Sequence, residues 1–188
     1  MKNNPEKNFS GIILAGGRGR RVGGQDKGLL VYNGKKLVEH VIEAISPLCD
    51  DIVISANRNM ETYRQYSGKV ISDITPDFQG PLAGLHAALP HCRHRRVFVC
   101  PCDMPMLTTG VFETLGDKLQ YGHIAIAECR QKLQPVFVLQ KNLHGSLDHA
   151  LQSGQRRLMQ WVKSQQPMLV SFSDSKAFSN FNECADFR

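Results

Sequence analysis

The sequence predicts an α/β fold in which a mostly parallel sheet is covered by helices, and three observations carry that expectation. Short apolar runs alternate with longer segments of helical periodicity, the βαβα rhythm of such a sheet. The first apolar run, Gly11-Ile12-Ile13-Leu14, empties directly into a loop of glycines and cations. The 188 residues show no repeat, low-complexity linker or internal boundary. We therefore expect one domain over 1–188, with the polar residues 1–8 as a lead-in; a domain of this size buries about 70% of the surface its unfolded chain exposes.

The elements follow in order. Strands are predicted at Ile12–Leu14, Asp51–Ala56, Lys69–Ser72, Arg95–Cys100, His123–Ala127 and Pro135–Leu139. Helices are predicted at Lys36–Leu48, Met60–Tyr66, Leu82–Leu89, Val111–Leu119 and Leu143–Leu151. Leu37, Val41, Ile42 and Ile45 fall at helical spacing and would face the sheet. Signals weaken beyond this point: Arg156–Val162 reads as a short helix, Met168–Phe172 as a late strand, and Lys176–Phe187 as a polar tail dotted with aromatics.

Composition narrows the function classes. Hydrophobic residues make up 41% of the chain and charged residues 21%, and no apolar stretch approaches the ~18 residues of a membrane helix. The polar start lacks the apolar segment of a secretory signal, so a cytoplasmic location is expected. Six cysteines contain no C-x-x-C pair, and Cys100-Pro101-Cys102 is too tight for a zinc knuckle, which favours buried, reduced thiols. The net charge of +6 suits an anionic ligand and is also compatible with nucleic acid.

Six of the sixteen glycines lie between Gly16 and Gly28. Glycine lets backbone N–H groups turn toward an anion without Cβ clashes, while Arg18, Arg20, Arg21 and Lys27 supply charge. The alternative is a surface loop with solvated arginines. Its place directly after a strand favours phosphate, since ligands of open α/β sheets bind beyond the carboxyl ends of strands. A Walker A loop is excluded, because Lys27 is followed by Gly28 and not by a hydroxyl residue. The dinucleotide pattern Gly-x-Gly-x-x-Gly, started at Gly17 and Gly19, meets Val22 where its third glycine belongs.

A phosphate loop calls for magnesium, which takes oxygen ligands from one or two carboxylates and from the phosphates. Asp103 follows the run Val97–Cys100 in a turn stiffened by Pro101 and Pro105; Asp73 follows Val70-Ile71-Ser72. Each could instead make a local turn or helix cap. Asn57, after Ile52–Ala56, can donate and accept hydrogen bonds and so could read a base or ribose, or it is a turn residue. Gly80-Pro81-Leu82-Ala83-Gly84 permits close ligand approach, or it starts and packs a helix.

These pieces in this order resemble the molybdenum cofactor guanylyltransferase family, within the nucleotidyltransferases. The resemblance lies in Leu14-Ala15-Gly16-Gly17, Arg21-Val22-Gly23-Gly24-x-Asp26-Lys27-Gly28, Ala56-Asn57-Arg58, Asp73, Gly80-Pro81-Leu82-Ala83-Gly84 and Pro101-Cys102-Asp103. Gly154-x-Arg156-Arg157 and Asn180-x-Asn182 extend it nearly to the end of the chain. Leu-Ala-Gly-Gly is shared with other nucleotidyltransferases; the Gly-Gly-x-Asp-Lys-Gly run combined with Pro-Cys-Asp is narrower. The chain departs at Val22, where the family commonly has Met, and at Gln134-Pro135, where a His-Pro pair is expected.

The resemblance implies a Rossmann-like three-layer sandwich. It implies GTP bound through Leu14, Ala15, Gly16, Lys27, Asn57, Asp73 and Asp103, with Mg2+ at Asp103. The acceptor would be molybdenum-molybdopterin, and proteins that deliver the cofactor or mature molybdoenzymes would be partners. Lys27, Arg21 and Asp103 are the expected catalytic residues. Arg156 and Arg157 are candidates for the anionic acceptor, or a solvated pair at a helix start, and Asn180 and Asn182 receive no role. Two rival readings are a transferase using CTP or a sugar-phosphate acceptor, and a basic nucleic-acid module built on His91-Cys92-Arg93-His94-Arg95-Arg96. That cluster lacks interleaved aromatics and precedes a strand, so it reads as a solvated loop and no nucleic acid is expected.

Overall fold

The computed structural model describes residues 8–16, 25–73 and 80–181. Nine strands and six α-helices are numbered here in chain order among those residues: β1 Phe9–Leu14, β2 Val31–Tyr32, β3 Lys35–Lys36, α1 Leu37–Ile45, β4 Cys49–Ser55, α2 Met60–Arg64, β5 Lys69–Ile71 and α3 Pro81–Ala88. Then come β6 Arg96–Pro101, α4 Thr109–Lys118, β7 Ile124–Cys129, β8 Lys132–Gln140, α5 His144–Gln152, α6 Leu158–Ser164 and β9 Met168–Phe172.

Seven strands form one sheet in the order β5-β4-β1-β6-β8-β7-β9. Pairings β5/β4, β4/β1, β1/β6 and β7/β9 are parallel, whereas β8 runs antiparallel to both β6 and β7. Strand alternation divides the core between two faces. Ile13, Ile54, Phe98 and Val138 pack with Val41 and Ile45 of α1 and Phe112 and Leu115 of α4. On the other face Ile12, Val53, Val99 and Phe137 pack with Leu82 and Leu85 of α3, Leu147 of α5 and Trp161 of α6. The result is the expected three-layer α/β arrangement.

Two features depart from the predicted elements. β2 and β3 form a short hairpin around Asn33 (φ 48°) and Gly34 (φ 78°), so α1 begins at Leu37 with the Lys36 amide donating to Glu39 at 2.5 Å. β7 and β8 are a second hairpin, turning through Arg130 and Gln131, both at positive φ. β8 reaches back to Lys132 despite Pro135, and the β7/β8 register shifts between Ile126 and Glu128, opposite that proline. The irregularity is where a residue without an N–H can sit inside a sheet.

Candidate active site

The carboxyl ends of β1, β4, β5 and β6 lie side by side, stitched beyond the strands by backbone bonds. Ala15 N–H donates to the Ser55 carbonyl (2.8 Å), Ala56 N–H to Ile71 (2.9 Å) and Cys102 N–H to Leu14 (3.2 Å). Leu14, Ala15, Gly16, Asn57, Asp73 and Asp103 are thereby gathered on one rim. The Ala15 amide is committed to the sheet, so amide donors for an anion begin after it. Residues 17–24, including Arg18, Arg20 and Arg21, lie outside the described residues, as do 74–79 and Asn182.

Asn57 and Asp73 form a closed pair. Asn57 Nδ2 donates to Asp73 Oδ2 at 2.8 Å, and the Asp73 amide donates to Asn57 Oδ1 at 2.8 Å. A Cβ on Gly16 would lie 3.2 Å from Asn57 Nδ2, so the chain leaving β1 runs against this pair. Asp73 Oδ1 is buried without a hydrogen-bond partner among the described residues. Burial raises the Asp73 carboxyl above its ordinary range, against the opposing pull of Asn57. A buried acceptor facing the rim is an open valence for a donor on a ligand.

Across the rim, Lys27 Nζ stands 3.3 Å from Asp103 Oδ2, with both side chains largely buried. Asp103 is held in place by its backbone as well, since its carbonyl accepts the Phe181 N–H at 2.9 Å. The Phe181 ring packs edge-on against Tyr32 of the β2–β3 hairpin, centroids 4.6 Å apart. The tail thus reaches the site through Phe181, a contact the sequence analysis did not foresee. Asn180 is exposed next to it.

Glycines around the rim let its elements pack closely. Gly80 (φ 92°) turns the chain into Pro81, the first residue of α3. A Cβ on Gly84 would lie 2.5 Å from Ser55 Oγ and 3.5 Å from Asp73 Oδ1; α3 therefore sits close against β4 and walls the Asp73 carboxylate. The helix-start and packing reading of this segment is the one these contacts show. The Arg156 carbonyl lies 3.5 Å from where a Gly80 Cβ would be, which puts the Arg156-Arg157 turn beside the start of α3. The Arg156 guanidinium bonds the Leu151 carbonyl at 2.9 Å, at the end of α5, a helix-terminal role. Arg157 is exposed ahead of α6.

The basic stretch 91–96 lies at the opposite, amino end of the strands. Arg93 and His94 both meet Asp50, His94 at 2.6 Å. Nearby, Asp51 accepts Ser10 Oγ at 2.5 Å, Lys69 Nζ at 2.5 Å and the Arg93 amide at 2.7 Å. Arg96 lies over the Phe9 ring at 4.1 Å. Two of the stretch's charged side chains, Arg93 and His94, are thus paired with a neighbouring carboxylate. The five described cysteines are buried and unbridged, and among the described residues no helix is long and apolar enough to cross a membrane.

The rim brings together a hard carboxylate and an ammonium in contact, an Asn–Asp pair opposite, and a glycine-bearing chain between. Asp26, Asn59 and Tyr63 adjoin it, and only Asp26 stood out in the sequence, without a role. The Asn59–Tyr63 spacing of one helical turn is the signal that could have found the other two.

The chain is similar to known proteins over most of its length. A family model described as the MobA-like NTP transferase domain matches residues 11–168. A molybdenum cofactor guanylyltransferase from Ralstonia nicotianae is 37% identical, covering 98% of this chain and 96% of its own length. One from Haemophilus influenzae is 38% identical, with 96% of each chain covered. A solved structure of molybdopterin-guanine dinucleotide biosynthesis protein A from Archaeoglobus fulgidus superposes with a TM-score of 0.72 at 26% identity, covering 95% of this chain and 94% of that one.

Proposed function

Since the chain belongs to the molybdenum cofactor guanylyltransferase family, within the MobA-like NTP transferases, we propose that it transfers GMP from GTP to the terminal phosphate of molybdenum-molybdopterin. An oxygen of the acceptor phosphate attacks the α-phosphorus of GTP. One P–O bond forms there, the bond to the β-phosphate oxygen breaks, and pyrophosphate leaves. The product is the guanine dinucleotide form of the cofactor.

The observation that carries this reading is the contact between Lys27 and Asp103. An ammonium from the loop after β1 meets a carboxylate from the turn after β6, where a triphosphate would lie along the rim. No strong general base is required, because a phosphate monoester with a second pKa near ~6 is already largely anionic at neutral pH. The chain's task is then positioning and charge stabilisation. Lys27, with Arg21 from the same loop, offsets charge gathering on the leaving pyrophosphate. Asn57 and Asp73 offer the donors and acceptors that a nucleoside needs. In this reading Arg157, exposed ahead of α6, meets the acceptor, while Arg156 holds the end of α5 through the Leu151 carbonyl.

Magnesium fits the donor set at Asp103. Its carboxylate is a hard oxygen donor at the rim, and this ion is held by one or two carboxylates together with phosphates. When bound, magnesium would neutralise and orient the triphosphate. Buried, unbridged thiols suit the reducing cytoplasm, which is the proposed location.

The test is incubation with molybdopterin cofactor, magnesium and each nucleoside triphosphate in turn, followed by mass analysis of the product. A GMP adduct formed from GTP alone is expected. A CMP adduct, or no adduct with any nucleotide, would overturn the proposal.

A further inference from the structure

We propose that Asp26 and the α2-side residues Asn59 and Tyr63 are positioning residues that hold Lys27 against Asp103, so that its ammonium is in place before the triphosphate arrives. The proposal rests on the transfer reading above. Its substance is a connection between α2, a helix remote from the phosphate loop in sequence, and the one cation of that loop whose placement is described.

Asp26 is only 8% exposed, and a buried carboxylate must be met by donors. Tyr63 Oη–H donates to its Oδ1 at 2.6 Å, and Asn59 Nδ2 donates to its Oδ2 at 3.0 Å. Arg58 adds charge, with Nε 3.7 Å from Oδ2 and Nη2 bonding the Gln25 carbonyl at 2.7 Å. Asn59 occupies the N-cap position of α2 at φ 51°, yet its side chain makes no capping bond; it turns to Asp26 instead. Burial pushes the Tyr63 phenol well up, with Cys102 and Asp26 adding to the effect, so the hydroxyl remains a donor.

The residue on the other side of Lys27 is confined too. A Cβ on Gly28 would overlap the Tyr63 hydroxyl and lie 3.2 Å from Cys102 Sγ. The chain therefore passes through a slot between α2 and the turn that carries Asp103. With Asp26 tied on one side and Gly28 wedged on the other, the Lys27 backbone has little freedom, and its side chain spans to Asp103 at 3.3 Å. A cation fixed in advance loses less entropy when phosphate binds, which is the general benefit of preorganisation.

The test uses Tyr63→Phe, which keeps the ring and removes one donor to a buried carboxylate. In the intact protein without nucleotide, amide exchange at residues 26–30 is expected to quicken about tenfold while core strands are unchanged. In turnover, kcat/KM for GTP is expected to fall about tenfold. The same substitution made on Lys27→Ala should cost little more, because the residue it positions is gone. Asp26→Asn should repeat the pattern. Unchanged exchange at 26–30, or an equal further loss on the Lys27→Ala background, would overturn the proposal. A wild-type chain that turned over no nucleotide would sink the transfer reading instead, and exchange would still decide whether Tyr63 anchors the turn.

Discussion

Asn57 and Asp73 satisfy each other in both directions at 2.8 Å, amide to carboxylate and backbone to amide oxygen, and leave Asp73 Oδ1 as a buried acceptor at the rim, unbonded among the described residues. The pair joins the ends of β4 and β5.

Asp73 should leave a signature in pH dependence. Burial raises its carboxyl from the ordinary 3.8, so the folded state binds more protons than the unfolded one. Its contribution to stability is complete below about pH 3.8 and is lost as the pH rises through the folded value. Asp73→Asn removes that titration. Urea unfolding across a pH series should show the wild type losing ground to the variant as pH rises through this window, and a constant difference would contradict the assignment.

Asp103→Asn keeps the shape and drops the charge. The variant should unfold at a normal urea midpoint and lose on the order of 10² in magnesium-dependent turnover. Near-normal turnover would remove Asp103 from the mechanism.

Lys27→Ala should weaken GTP use through lost contact with phosphate. Calorimetry should show GTP affinity reduced by roughly tenfold or more, the scale of one charged hydrogen bond. Unchanged affinity together with unchanged kinetics would refute its phosphate role.

Gly28→Ala inserts a methyl group into the slot between Tyr63 and Cys102. It should cost about 1–3 kcal/mol in urea unfolding, with partial recovery in the double variant carrying Tyr63→Phe, since the overlapping hydroxyl is then absent. Full stability in the single variant would mean the slot is wider than the geometry states.

Between α3 and α5, the His86 and His144 rings stack 4.6 Å apart, and Asp148 stands 3.4 Å from His86 Nε2. Burial first, then the neighbouring His144, holds the His86 pKa below 6.5, with Asp148 opposing. A base depressed by folding contributes stability above its unfolded value that is lost as pH falls below about 6.5. His86→Phe keeps a stacked ring and should flatten this acid-side loss in thermal unfolding measured from pH 8 down to about 5.

Much of this protein was legible along the chain. Runs such as Ile52–Ile54 and Val97–Cys100 announced strands because a sheet buried on both faces needs continuous apolar residues. Asn57, Asp73 and Asp103 stood out because each directly follows such a run, and strand ends are where open sheets bind ligands. Asn33-Gly34 is a strong turn signal, but the two-residue strands β2 and β3 that flank it are too short to register as periodicity.

Periodicity and strand-end position are local properties, and they are enough to read the α/β alternation and the residues at its carboxyl ends from the chain. Which distant groups meet depends on the folded arrangement. Lys27 on Asp103, Asn57 closed on Asp73, Tyr63 and Asn59 on Asp26, and Phe181 on the Asp103 carbonyl all join elements separated by long stretches of chain. The physical reason is that a buried carboxylate takes donors from whatever the fold packs beside it, and strand order in the sheet sets those neighbours while the sequence does not display it. The same holds for the basic stretch 91–96: as a string of charges it suggested an anionic partner, and in the fold its arginine and histidine find Asp50 at the other end of the sheet.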